Sequence, residues 1–208
     1  MSAVIEIPRT APVASSLRRF TVKDYYRMLE AGILHEDDPV ELIRGEIRTM
    51  SPKGPRHASG STRANRYFTQ LLGDQAIIRI QDPIHLDDFS EPEPDVVLAV
   101  VADDEYDYHH PTPEEIYLVL EVSDSSLDTD RNEKSGLYAQ AEIQQYCILN
   151  VRDRELEDYR NPRANNYRSK QIYSADQSFS LVAFPNIRIE VAALLPQSGK
   201  PKSRTKRK

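Results

Sequence analysis

Two apolar runs constrain the fold most: "DVVLAVV" at 95–101 and "EIYLVLEVS" at 115–123. Each has the length of a strand and is too short for a buried helix. Strands apolar on both sides belong inside a sheet with both faces covered. The chain therefore needs layers on either side of a sheet, and its helical patterns supply them. "RFTVKDYYRMLEAGIL" predicts a short amphipathic helix, with Thr21 as its cap and Gly32 as its stop. "GPRHASGSTRANRYFTQLLG" predicts a second, closed by Gly73, with Ala64, Phe68, Leu71 and Leu72 at helical spacing. "DRNEKSGLYAQA" predicts a third, its start fixed by the capping residues of "SDSSLDTD".

The rest reads as strands. "PVELIRGEIRTM" is a hairpin around Arg44–Gly45, and "AIIRIQDPIHLDD" is strand-like with a break at Asp82–Pro83. "QQYCILNV", "ELEDYRNP", "NYRSKQIYS" and "FSLVAF" follow the third helix. This order predicts an α/β fold, a mixed β-sheet flanked by α-helices.

The 208 residues suffice for one domain with a full core and two tails. Residues 1–17 lack periodicity and are expected to form a flexible N-terminal arm, ahead of a single domain at 18–195. From Pro196 to Lys208 there is no apolar content, and a disordered tail is expected. The last nine residues, "KPKSRTKRK", carry six positive charges; without them the net −6 becomes −12 for residues 1–199. An acidic body can still bind nucleic acid where its carboxylates surround metal ions. No run is long and apolar enough for a membrane span, and no secretory signal is evident. The single cysteine, Cys147, sits in an apolar strand and reads as a core residue in a reducing compartment, so a cytoplasmic location is expected.

Two acids stand where acids are costly. In "IYLVLEV", residues 116, 118, 120 and 122 share one face and are all apolar; 117, 119 and 121 share the other, and Glu121 ends it. Asp95 opens its own strand, beyond Glu91 and Glu93, which are expected to face solvent. If the two strands pair antiparallel, Asp95 lies beside Glu121. Two like charges held that close call for a divalent cation. Taken singly, each acid is better explained by an exposed turn or strand end; as a pair at these strand positions they point to function. On the next helix Lys134, Leu137, Tyr138 and Ala141 share a stripe with Asp130, so Lys134 either pairs with Asp130 at the surface or reaches the carboxylates.

In this order, "VELIRGEI", "SPKGPRH", "EPEPDVVL", "LVLEVSDSS", "DTDRNEKSGLYAQA" and "QQYCILN" resemble the Uma-two family, assigned to the restriction-endonuclease-like superfamily with the pattern PD-(D/E)XK. The resemblance covers Phe20 to Pro162, and more weakly to Leu195. It implies a restriction-endonuclease-like core and a metal-dependent phosphodiester-cleaving site. Pro94–Asp95 matches the PD, and Glu121 the second acid. The pattern expects lysine at position 123, where this chain has Ser123; the resemblance implies that the lysine has moved to Lys134. It also implies Glu41 as an additional acid, His57 as a substrate contact and a homodimer of bacterial origin.

The expectation is then an endonuclease acting on DNA. Asp95, Glu121 and Glu41 would hold Mg²⁺ or Mn²⁺, and Lys134 would orient the attacking water. Arg56, His57, Arg63 and Arg66 would meet the substrate near a helix start, where phosphate binds well; an ordinary solvated basic face is an equal explanation for the arginines. The basic tail would either add non-specific affinity or serve solubility. His109–His110 lacks zinc spacing and reads as loop. Two other classes stay open. One is a nuclease-like fold that binds or assembles without catalysis, which Ser123 and the acidic body favour. The other is a carboxylate enzyme such as a glycosidase, which needs neither lysine nor metal.

Overall fold

A computed structural model describes residues 17–198. The expected arm, apart from Leu17, and the basic tail from residue 199 lie outside the described residues. The first helix, α1 (Val22–Glu30), starts at Thr21, whose hydroxyl accepts from the Asp24 amide while Asp24 accepts from the Thr21 amide. A hairpin follows, β1 (Val40–Ile43) and β2 (Glu46–Thr49). It turns at Arg44 and Gly45, both with positive φ as a two-residue turn requires. The long helix α2 (Pro55–Leu72) leads to β3 (Ile77–Arg79).

Six strands form the central sheet, in the order β3-β4-β5-β6-β7-β8. They are β3, β4 (Val96–Ala99), β5 (Ile116–Ser123), β6 (Gln145–Asn150), β7 (Glu155–Arg163) and β8 (Asn166–Ser174). The β5–β6 pairing is parallel and the others are antiparallel, so the sheet is mixed. A parallel neighbour needs a crossover, and an irregular helix provides it. It comprises α3 (Leu127–Thr129), a π-helical turn (Asp130–Lys134) and α4 (Ser135–Gln140).

Alternation along β4 and β5 divides the core between the two faces. Val96, Leu98, Leu118, Leu120 and Val122 pack with Ala64, Phe68 and Leu72 of α2. Val97 and Val119 pack with Leu137 and Tyr138 of α4. Ile116 departs from its expected face. The register slips between Leu98 and Ala99, pairing Ala99 with Ile116, and this bulge turns Ile116 towards the α4 side. Helix α2 lies close to the sheet because Gly60 faces it: a Cβ there would stand 2.7 Å from Val122 Cγ1.

The end of the chain forms a smaller hairpin, β9 (Ser178–Ser180) with β10 (Arg188–Glu190), and a short α5 (Val191–Leu194). Only the first of these strands is foreshadowed by the sequence pattern, and it is shorter than "FSLVAF". Among the described residues no helix is long and apolar enough to cross a membrane.

Candidate active site

The β4–β5 register, Val96 with Leu120 and Val97 with Val119, carries on to bring Asp95 opposite Glu121. The two side chains are almost fully buried, at 4% and 3% exposure. They also touch. The Val122 amide donates to Asp95 Oδ2 at 2.8 Å, and the Asp95 amide lies 3.4 Å from Glu121 Oε2. A charge so buried is expensive unless paired.

Partners come from both flanking helices. Lys134 Nζ and Tyr138 Oη, one turn apart on the crossover helix, both donate to Glu121 Oε1 at 2.8 Å. His57 Nε2, in the first turn of α2, is 2.9 Å from Asp95 Oδ2, and Lys53 Nζ is 3.7 Å from Oδ1. Each carboxylate thus has one well-bonded oxygen. The others, Asp95 Oδ1 and Glu121 Oε2, have only long contacts and retain acceptor capacity.

The electrostatics divide the pair. Burial pushes the Glu121 carboxyl well up, aided by Asp95 and Asp130, and Lys134 only partly offsets this. Burial acts the same way on Asp95, but the His57 bond, the Val122 amide and Lys134 outweigh it and hold Asp95 low. Burial also works against the Lys134 ammonium, yet the carboxylates of Glu121, Glu41 and Asp130 prevail and keep it charged.

These groups open into a cavity of about 440 Å³. Glu41 of β1 lines it, and its Oε2 accepts the Glu93 amide at 3.2 Å. The Lys53–Gly54 entry to α2 and the loop Asp124–Ser126 complete the rim. Ser126 stands at the cap position of α3 but does not cap it; its hydroxyl donates to Asp130 Oδ2 at 2.7 Å. Asp130 is buried and lines the cavity on the same helical face as Lys134.

Asp95, Glu121, Lys134, Glu41 and His57 are therefore brought together. The three arginines are not. Arg56 turns away and donates to the Val151 carbonyl, and neither Arg63 nor Arg66, further along α2, lines the cavity. Glu91 and Glu93 also depart from their expected solvent exposure. Glu91 is buried, accepting from Tyr26 Oη at 2.6 Å and lying 3.2 Å from His85 Nδ1, while Glu93 is half-buried at the cavity rim. Nothing in the sequence marks Lys53 or Tyr138 for the site, although Tyr138 shares the helical stripe of Lys134, and Asp130, expected at most as a surface partner of Lys134, is buried in the cavity wall.

Oxygen donors of this kind suit hard cations such as Mg²⁺ or Mn²⁺. Among the described residues no three His, Cys, Asp or Glu side chains are close enough to enclose a metal. A pair of carboxylates still fits Mg²⁺, which keeps several waters and commonly takes one or two protein carboxylates.

Sheet order and flanking helices define a mixed α/β protein with a buried acid pair at the β4–β5 end of its sheet. The chain belongs to the family described as "Uma2: Putative restriction endonuclease", whose model matches residues 22–192. A crystal structure from Anabaena variabilis ATCC 29413, described as "a putative nuclease belonging to DUF820", has the same fold. It is 12% identical, with a TM-score of 0.61, over 84% of this chain and 97% of the other. Among curated proteins none matches the sequence significantly.

Proposed function

We propose that the protein is a metal-dependent nuclease that hydrolyses phosphodiester bonds in nucleic acid, with DNA as the preferred substrate. The carrying observation is the buried, hydrogen-bonded pair Asp95–Glu121 with the Lys134 ammonium on Glu121. Family membership supports the same reaction class.

Asp95 and Glu121 would hold Mg²⁺ or Mn²⁺ through their less-bonded oxygens, with Glu41 across the cavity as a further acid. The bound ion would polarise the scissile phosphate and acidify a water. Lys134 supplies the fixed positive charge that a pentavalent, more anionic phosphate requires, in a pocket where charge is weakly screened. Its approach from the crossover helix does the work the pattern gives to a lysine at 123; there Ser123 Oγ lies 3.5 Å from Ser126 Oγ instead. Tyr138 fixes the Glu121 rotamer, and His57 fixes Asp95. Lys53 and the start of α2 are the groups on hand for the substrate phosphate.

Incubation with supercoiled plasmid tests this reaction. Nicking or linearisation in Mn²⁺, abolished by chelator and by Asp95→Ala, is expected. Absence of cleavage, or cleavage untouched by Asp95→Ala, contradicts it. A binding or assembly role without catalysis would leave the plasmid intact in a protein that still binds the metal.

A further inference from the structure

We propose that a second hollow beside the catalytic cavity receives a single unpaired nucleobase of the substrate, which makes an unstacked nucleotide part of the recognised target. This rests on the nuclease function above. The hollow measures about 800 Å³ and lies among α1, the turn after it and the segment leading to β4. Glu93 lines both the hollow and the catalytic cavity. The two spaces are therefore neighbours, and Asp95 follows Glu93 by only two residues.

The lining selects which part of a nucleic acid enters. Tyr25, Tyr26, Leu29 and Leu34 give it apolar walls. Its carboxylates, Glu36 and Glu93 among them, offer acceptors, and among the described residues no lysine or arginine lines it. A phosphate is repelled there. A neutral, flat ring bearing amino or imino N–H donors is accepted, and a nucleobase is such a ring.

The aromatic wall is set in advance. Tyr26 Oη donates to Glu91 at 2.6 Å and Tyr25 Oη to the Val40 carbonyl at 3.3 Å. Their rings meet edge to face at 6.1 Å. Tyr26 keeps 38% of its surface exposed, leaving ring area for a stacking partner. A base inside a duplex is paired and stacked and cannot reach such a wall; a bulge, a mismatch or a single strand presents one cheaply.

The test uses the full-length protein in Mn²⁺ with three oligonucleotides: a perfect duplex, the same duplex with one unpaired 2-aminopurine, and the single strand. Protein should shield the unpaired 2-aminopurine from acrylamide quenching several-fold and leave a paired one unaffected. Cleavage should fall beside the unpaired nucleotide. Leu34→Trp, which fills the hollow, should weaken shielding and cleavage roughly tenfold or more with Mn²⁺ binding unchanged. Equal cleavage of the perfect duplex with no shielding overturns the base site and leaves the nuclease standing. Shielding without cleavage does the reverse. Displacement of the probe by stoichiometric spermidine would mark an amine site and overturn the nucleobase assignment. If the protein neither cleaves nor shields any of the three, both proposals fall.

Discussion

Asp95 and Glu121 hold each other through the backbone. The Val122 amide, next to Glu121, donates to Asp95 Oδ2, while the Asp95 amide faces Glu121 Oε2 at 3.4 Å. Neither acid can move without disturbing the other strand. The arrangement ties the carboxylates to the β4–β5 register, so two buried central strands set the site geometry.

Lys134 is the cation nearest to Glu121, at 2.8 Å. Lys134→Met is expected to lower single-turnover cleavage by roughly 10²-fold or more, with the circular dichroism spectrum retained. A variant that cleaves at the wild-type rate would remove Lys134 from the chemistry.

The raised Glu121 pKa has a consequence for the metal-free protein. The folded state keeps a proton on Glu121 that the unfolded chain releases near the ordinary value of 4.5. Folded protein therefore binds more protons between 4.5 and about 8, and this group's contribution to stability falls as pH rises through that window. Asp95 does not oppose this: its pKa is lowered, so its contribution is lost only as pH falls below the ordinary carboxylate range. Thermal melts in chelator should show a flatter pH dependence for Glu121→Gln, which should also be the more stable of the two at the alkaline end. Identical slopes would mean that Glu121 is already ionised.

Gly60 sets how closely α2 approaches β5. Its missing Cβ would meet Val122 Cγ1 at 2.7 Å, and Val122 is packed on all sides. Gly60→Ala should cost about 1–3 kcal/mol in urea unfolding through overpacking. It should also loosen the His57–Asp95 contact, because His57 lies one turn earlier on the same helix. An unchanged midpoint would show that α2 can shift without penalty.

Much of the site geometry is legible in the sequence, because strand and helix periods decide it. The two-residue period places Glu121 at the end of a buried strand, and antiparallel pairing brings Asp95 beside it. The helical period aims Lys134 inward. Local periodicity cannot reveal partners supplied from far along the chain. Glu91 looks like a loop acid until Tyr26, 65 residues earlier, donates to it. Arg56 looks like a phosphate ligand until its guanidinium meets the Val151 carbonyl, 95 residues later. The bulge that turns Ile116 has no signature in a run where every residue is a plausible strand former. Strands β9 and β10 span three residues each, too short for a period to declare itself.

The central claim is that Asp95 and Glu121 share one divalent cation. Calorimetric titration of the protein with Mn²⁺ tests it most directly, with Asp95→Asn and Glu121→Gln run alongside. Saturable binding at one site is expected in the wild type, lost or greatly weakened in both variants while each stays folded. Absence of saturable binding at millimolar Mn²⁺, or binding that survives both substitutions, would contradict it.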